Sequence, residues 1–133
     1  MRIAVLAAIA LATAAVSAGG AQTPDWSDAQ TVTVQLSNFK FAPSAVALRQ
    51  GTPYRLHLVN VASGAHDFSA KQFFAASEIA PEDRAKVTDG SVDLDGGASA
   101  DIRLVPMQPG SYRLHCSHFM HTMFGMKGTI TVS

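Results

Sequence analysis

From residue 31 to the carboxyl terminus, apolar side chains recur at every second position in short runs, and this period of two restricts the possible folds more than any other feature. Val32, Val34 and Leu36 share one parity. Val46 and Leu48 repeat it, as do Tyr54, Leu56 and Leu58, with Arg55 and His57 on the opposite face. Successive side chains of a strand point to opposite faces, so each run predicts a half-buried strand. Ile102 with Leu104, then Tyr112, Leu114 and Cys116, then Ile130 with Val132 mark three more. Pro43, Gly51-Thr52-Pro53 and Pro109-Gly110 separate them as turns. Short strands at this spacing predict an all-β sandwich or barrel.

One interval breaks the rhythm. SAKQFFAASEIAPEDRAKV, beginning at Ser69, is rich in helix formers, and Pro81 is placed to start a second helical piece before GSVDLDGGASA returns to turn chemistry. The expectation is a short helical insertion around 69–98. Phe73 and Phe74 are its predicted packing anchors, because two adjacent aromatic rings are poorly left in water.

Residues 1–21 read differently from the rest. One Arg stands behind the start, an apolar run fills residues 3–16, and small residues follow, with cleavage after Ala18 or Ala21 fitting equally well. That layout predicts a secretory signal. The run falls short of the roughly 20 residues that cross a bilayer, so no membrane span is expected in the mature chain. The expected organisation is a signal peptide over 1–21, an extension over 22–30 and one compact domain over 31–133, exported to the periplasm.

The 133 residues carry 10 Lys and Arg against 10 Asp and Glu, with no basic cluster. Binding of nucleic acid needs such a cluster to displace counterions along the phosphates, so no nucleic-acid partner is expected. Export also bears on the single cysteine, Cys116. With no second cysteine in the chain it is a free thiol, an intermolecular bridge or a metal ligand.

Its surroundings, YRLHCSHFMHTMFGMKGTITV, favour the ligand. Cys116 shares the inward parity of Tyr112 and Leu114, whereas His115 points out. His118, Met120, His121, Met123 and Met126 follow within residues 116–126. A thiolate, imidazoles and thioethers are soft or borderline donors that suit copper far better than magnesium or calcium. Cys116, His121 and Met126 stand in a Cys-x4-His-x4-Met pattern, through which one loop between two strands presents three donors on one side. His118 and Met123 are rivals of His121 and Met126.

The sequence here resembles the cupredoxins, the blue-copper proteins of the plastocyanin, azurin and rusticyanin type, over roughly residues 31–133. The likeness lies in FKFAPSAVALRQGTPYRLHLVN, in a His that follows a strand ending at Asn60, and in a closing Tyr-x3-Cys with Gly-Met-x-Gly-x-Ile-x-Val. It implies an eight-stranded Greek-key β-sandwich with one copper ion at one end, held by His66, Cys116, His121 and Met126. Members with the same two spacings imply His121 in preference to His118, and the Gly125-Met126-Lys127-Gly128 context implies Met126 in preference to Met123. Two positions depart from the pattern: SHFM replaces a Pro-Gly approach to the second His, and Asp67 follows His66 where many members have Asn. The second departure bears on the hydrogen bonding behind the ligand and on the potential.

Two imidazoles and a thiolate with a weak axial thioether suit the passage of one electron between copper(I) and copper(II). The implied function is a non-enzymatic electron carrier. The alternative is a copper-tolerance or copper-delivery protein on the same fold, in which His115, His118, Met120 and Met123 handle the ion. An oxidase or nitrite reductase needs a further copper cluster or a site between subunits, and only one donor set is evident. A Cys-His hydrolase lacks an oxyanion element. A redox or copper-handling partner is expected to dock on the monomer near His121, through an apolar patch of Phe119, Met120, Met123 and Phe124 and a small interface.

Overall fold

A computed structural model describes residues 23–118 and 123–133. The signal-peptide expectation, and His121 with Phe119 and Met120, lie outside the described residues. Ten strands among those described form two five-stranded sheets. One holds β1 (Gln30–Ser37), β2 (Lys40–Ala42), β4 (Tyr54–Asn60), β6 (Ser77–Ile79) and β8 (Ser99–Pro106), in the order β2-β1-β4-β8-β6. The other holds β3 (Ala45–Leu48), β5 (His66–Ser69), β7 (Ser91–Leu94), β9 (Gly110–His115) and β10 (Lys127–Val132), in the order β3-β10-β9-β5-β7. β1 runs parallel to β4 and β3 parallel to β10, and the remaining pairs are antiparallel.

The period of two explains the two layers. Leu36, Leu58 and Ile102 from one sheet, and Leu114, Ile130 and Val46 from the other, are buried in one core. Burying a side chain of this size stabilises the fold by about 1.5–3 kcal/mol. Phe68 joins the layers to the insertion: its ring meets Phe41 edge-on at 5.9 Å and Phe74 at 6.0 Å.

The insertion holds the expected helical pieces, α1 (Lys71–Ala75) and a 3-10 helix at Pro81–Lys86, and Phe73 and Phe74 are buried as anchors. It is not only helical. Between and after the helices it supplies β6 and β7, one edge strand for each sheet, and so the count exceeds the eight strands implied by the resemblance. Both strands are too short for a period of two to stand out.

Asp83 fastens the 3-10 helix to β8. Its Oδ2 accepts the Arg103 backbone N–H at 2.9 Å and Nε–H at 2.8 Å, and its Oδ1 accepts Lys86 Nζ–H at 2.7 Å. Burial opposes the charge, but those three donors and the two cations outweigh it and hold the carboxyl at about 2. No helix among the described residues is long and apolar enough to cross a membrane.

Candidate metal centre

β5 opens with His66, and all four of its residues, His-Asp-Phe-Ser, are buried. An ordinary sheet strand has one wet face; here the second face is occupied by polar contacts. Cys116 lies one residue past β9 and Met126 one residue before β10. The Cys116 N–H donates to the Met126 carbonyl at 3.2 Å, so the β9–β10 ladder continues through both proposed ligands. Gly125, at φ 92°, turns the chain into Met126 through a backbone region that favours glycine. His66, Cys116 and Met126 are each at most 1% exposed.

Asp67 joins the two ligand-bearing segments. Its Oδ1 accepts the Ser117 backbone N–H at 2.7 Å and the Ser69 hydroxyl at 2.8 Å, and its Oδ2 accepts the Ser117 hydroxyl. Because Asp67 follows His66 and Ser117 follows Cys116, these bonds set the two proposed ligands side by side. On the far side of His66, Asn38 Oδ1 lies 2.9 Å from Nε2 and fixes the ring.

Burial pushes the Cys116 thiol up, and the backbone N–H groups of Asp67 and His118, which donate to the sulfur, only partly offset this. A thiol in that state is a poor nucleophile at neutral pH, whereas a bound metal ion displaces its proton. His118 Nε2 lies 3.7 Å from Asp67 Oδ2, and the donor atoms of Asp67, Cys116 and His118 fall within 4.8 Å of one another. The structure thus brings the rival imidazole, His118, close to the thiol. His115, expected to point outward, is half-buried: its Nδ1 is buried without a hydrogen-bond partner, and burial, then Arg113, pushes the ring below its ordinary value.

The approach to His66 is also built from polar groups. Asn60, fully buried, donates through Nδ2 to the carbonyls of Gly64 at 2.9 Å and Leu94 at 3.0 Å, while its Oδ1 accepts the Ala62 N–H at 3.0 Å. A Cβ on Gly96 would overlap the Ser63 carbonyl oxygen, so glycine lets the loop after β7 touch the loop before His66. Outside, Phe39 and Phe124 rest ring to ring at 5.0 Å beside exposed Met123.

The family model described as "Cupredoxin-like domain" matches residues 3–132. The chain belongs to the cupredoxin-like domain family. Among curated proteins it is 29% identical to auracyanin-B of Chloroflexus aurantiacus over 93% of this chain, and it spans 61% of that protein's length. An auracyanin B structure superposes with a TM-score of 0.58 at 25% identity, covering 86% of this chain and 93% of the other. A dithionite-reduced auracyanin from Roseiflexus castenholzii gives 0.60 at 18% identity, covering 79% of this chain and 98% of the other. The McoA multicopper oxidase of Aquifex aeolicus gives 0.65 at 15% identity over 84% of this chain and 31% of its own, a likeness of fold alone.

Of the four residues named as ligands, this cupredoxin-like domain buries His66, Cys116 and Met126 at one end of the sandwich. Their donor chemistry fits copper. Asn38, Ser117 and Asn60 were not foreseen. Ser117 at least adjoins Cys116, but nothing in a single sequence ties Asn38 to a histidine 28 positions away.

Proposed function

We propose that this protein is an exported, monomeric carrier of single electrons, with one copper ion held by His66, Cys116, His121 and Met126. The observation that carries the reading is the buried thiol between two fixed neighbours: Cys116 is tied through its N–H to Met126 and, through Ser117 and Asp67, to the segment of His66. His66 would use Nδ1, because Asn38 engages Nε2. When bound, copper supplies a one-electron couple between its two oxidation states. The chain's part is to hold the donors in place at the ends of β5, β9 and β10 of one sheet, so that little rearrangement accompanies the transfer, and to keep water from the thiolate. No enzymatic step is required of it. The residues around Phe124 and Met123 offer the apolar contact through which a redox partner would dock.

The test is titration of the purified protein with copper(II), followed by visible absorption and electron paramagnetic resonance. An intense thiolate-to-copper band is expected, and Cys116→Ser should abolish it; a band that survives the substitution places the site elsewhere. His121→Ala should lose the band or open the site to added imidazole, while His118→Ala should leave it largely intact. The reverse pattern makes His118 the ligand.

One observation favours a second reading, in which the ion is cargo. The His118 imidazole lies within 4.8 Å of the Cys116 sulfur and is 44% exposed, a donor positioned between the buried site and solvent. Ready loss of copper(I) to a chelator, slowed by His118→Ala, supports delivery; retention through repeated reduction and reoxidation supports the electron carrier.

A further inference from the structure

We propose that the cleft between α1 and the outer face of β9 binds a small organic dicarboxylate. The cavity measures about 460 Å³, a size suited to a small molecule, and is lined by Lys71 and Gln72 of α1 and by Ser111, Tyr112, Arg113 and His115 of β9. Its permanent charges are two cations, Lys71 and Arg113, and among the described residues no carboxylate lines it. The β9–β10 register extends this bias. Residues opposite each other in a ladder share a face of the sheet, and Thr129 stands opposite Arg113 while Lys127 stands opposite His115. The neighbouring strand therefore adds a third cation to this face beside the cleft, and no acid.

Both cations are available to a ligand. Arg113 is exposed, and among the described residues it has no ion-pair partner. Its planar guanidinium can take a carboxylate through two parallel N–H bonds. Lys71 Nζ meets Asp89 Oδ1 at 3.2 Å, but the two side chains are 69% and 83% exposed, and a pair so open to water contributes little. The base of Lys71 is held in place: a Cβ on Gly90 would fall 2.5 Å from Lys71 Cα, so glycine lets the turn before β7 press against it. Tyr112 supplies an apolar wall. Its hydroxyl donates to the Gln108 carbonyl at 2.7 Å and its ring meets Phe73 edge-on at 5.8 Å, which leaves carbon, not the hydroxyl, to face a ligand. His115 adds a donor without adding charge. A buried nitrogen with no partner is less costly as a lone pair than as an N–H, and Nδ1 is such a nitrogen, so the ring proton belongs on Nε2. Two cations beside an apolar wall suit two carboxylates joined by a short hydrocarbon chain better than a compact inorganic dianion.

Isothermal titration calorimetry of the purified protein with sodium succinate tests the assignment, with acetate and inorganic phosphate as comparisons. Saturable binding of succinate is expected, about tenfold or more tighter than either of the others. No saturable binding, or equal or tighter binding of acetate or phosphate, overturns the proposal. Arg113→Gln and Lys71→Gln should each weaken succinate about tenfold or more, since each removes one of the two charged contacts. Affinity retained in both variants places any binding elsewhere and overturns it. Arg55→Gln removes the same charge from an exposed position on β4, in the other sheet, and should change nothing. Weakening there equal to that in Arg113→Gln would mean attraction to net charge alone, against a built cleft. The cleft does not depend on copper, so Cys116→Ser should bind succinate as the unsubstituted protein does. Loss of succinate in that variant would move the anion to the metal centre and refute the proposal, whereas loss of the charge-transfer band with succinate binding intact bears only on the copper reading.

Discussion

Asp67 and Asp83 are the two buried carboxylates of this domain, each no more than 3% exposed, and they are stabilised in opposite ways. Asp83 faces two cations, Arg103 and Lys86, on the outer flank of β8. Asp67, at the metal end, is held by hydroxyls and a backbone N–H. Cations join segments through charge, whereas hydroxyls and a backbone N–H join them through directed hydrogen bonds and fix the geometry of the groups they hold. The flank is thus built for stability and the metal end for chemistry.

The largest test of that division is Asp83→Ala. Removing one partner of a buried pair leaves the Arg103 N–H unmatched and Lys86 without its carboxylate, with only the Asp101 carbonyl at 2.9 Å, and the loss should be about 3 kcal/mol, near the lower end for such pairs because the cations are partly solvated. Urea denaturation of the metal-free protein measures it. The copper spectrum and potential should not move; if either moves, the division between the regions fails.

Acid should separate the two regions next. With its carboxyl lowered from 3.8 to about 2 in the folded state, Asp83 contributes stability that is fully present above pH 4 and is lost as the pH falls through 2. The contribution is on the order of 2 kcal/mol. The metal-free protein should therefore lose stability between pH 4 and 2 more steeply than its Asp83→Asn variant. Equal slopes would mean that Asp83 is not the group that responds.

How far each region could be read from the chain differs for the same reason. The sandwich was legible because one wet and one dry face impose a period of two on Val34–Leu36, Leu56–Leu58 and Ile102–Leu104, and Phe73 and Phe74 announced their burial by being aromatic neighbours. Cys116 was legible as an inward donor by parity, and it is fully buried. β5 was not legible as a strand, because both of its faces are buried and HDFS has no alternation. The clasp was hidden by distance: Asp67 and Ser117 lie 50 residues apart, and a local pattern carries no record of such a pair. His121 was legible only through spacing and family likeness.

Gly96→Ala gives a smaller effect that couples the two properties the flank keeps apart. The new Cβ would press on the Ser63 carbonyl in the loop that leads from Asn60 to His66. Overpacking of this kind costs about 1–2 kcal/mol. Unlike Asp83→Ala, it should also alter the copper band, because the displaced loop carries His66. A stability loss with an unchanged spectrum would show that His66 is held from its Asn38 and β5 side alone.

The smallest effect on stability, and the sharpest on exchange, is expected at the outer rim of the metal end. Phe39 is 37% exposed, Phe124 59% and Met123 68%, so of the two rings that meet at 5.0 Å Phe124 is the more open to water. Phe124→Ala removes that contact but little buried area, and the fold should lose less than about 1 kcal/mol. If this rim is where a partner docks, its apolar rings matter through the area they bury in the encounter, and a small contact of that type suffices for a short-lived complex. Phe124→Ala and Met123→Glu should slow electron exchange with the physiological partner while the absorption and potential stay as they were. Exchange measured in parallel with a small inorganic oxidant, which needs no apolar contact, should fall much less. Equal slowing with both would point to a disturbed metal centre, and unchanged exchange with the partner would place docking elsewhere on the sandwich.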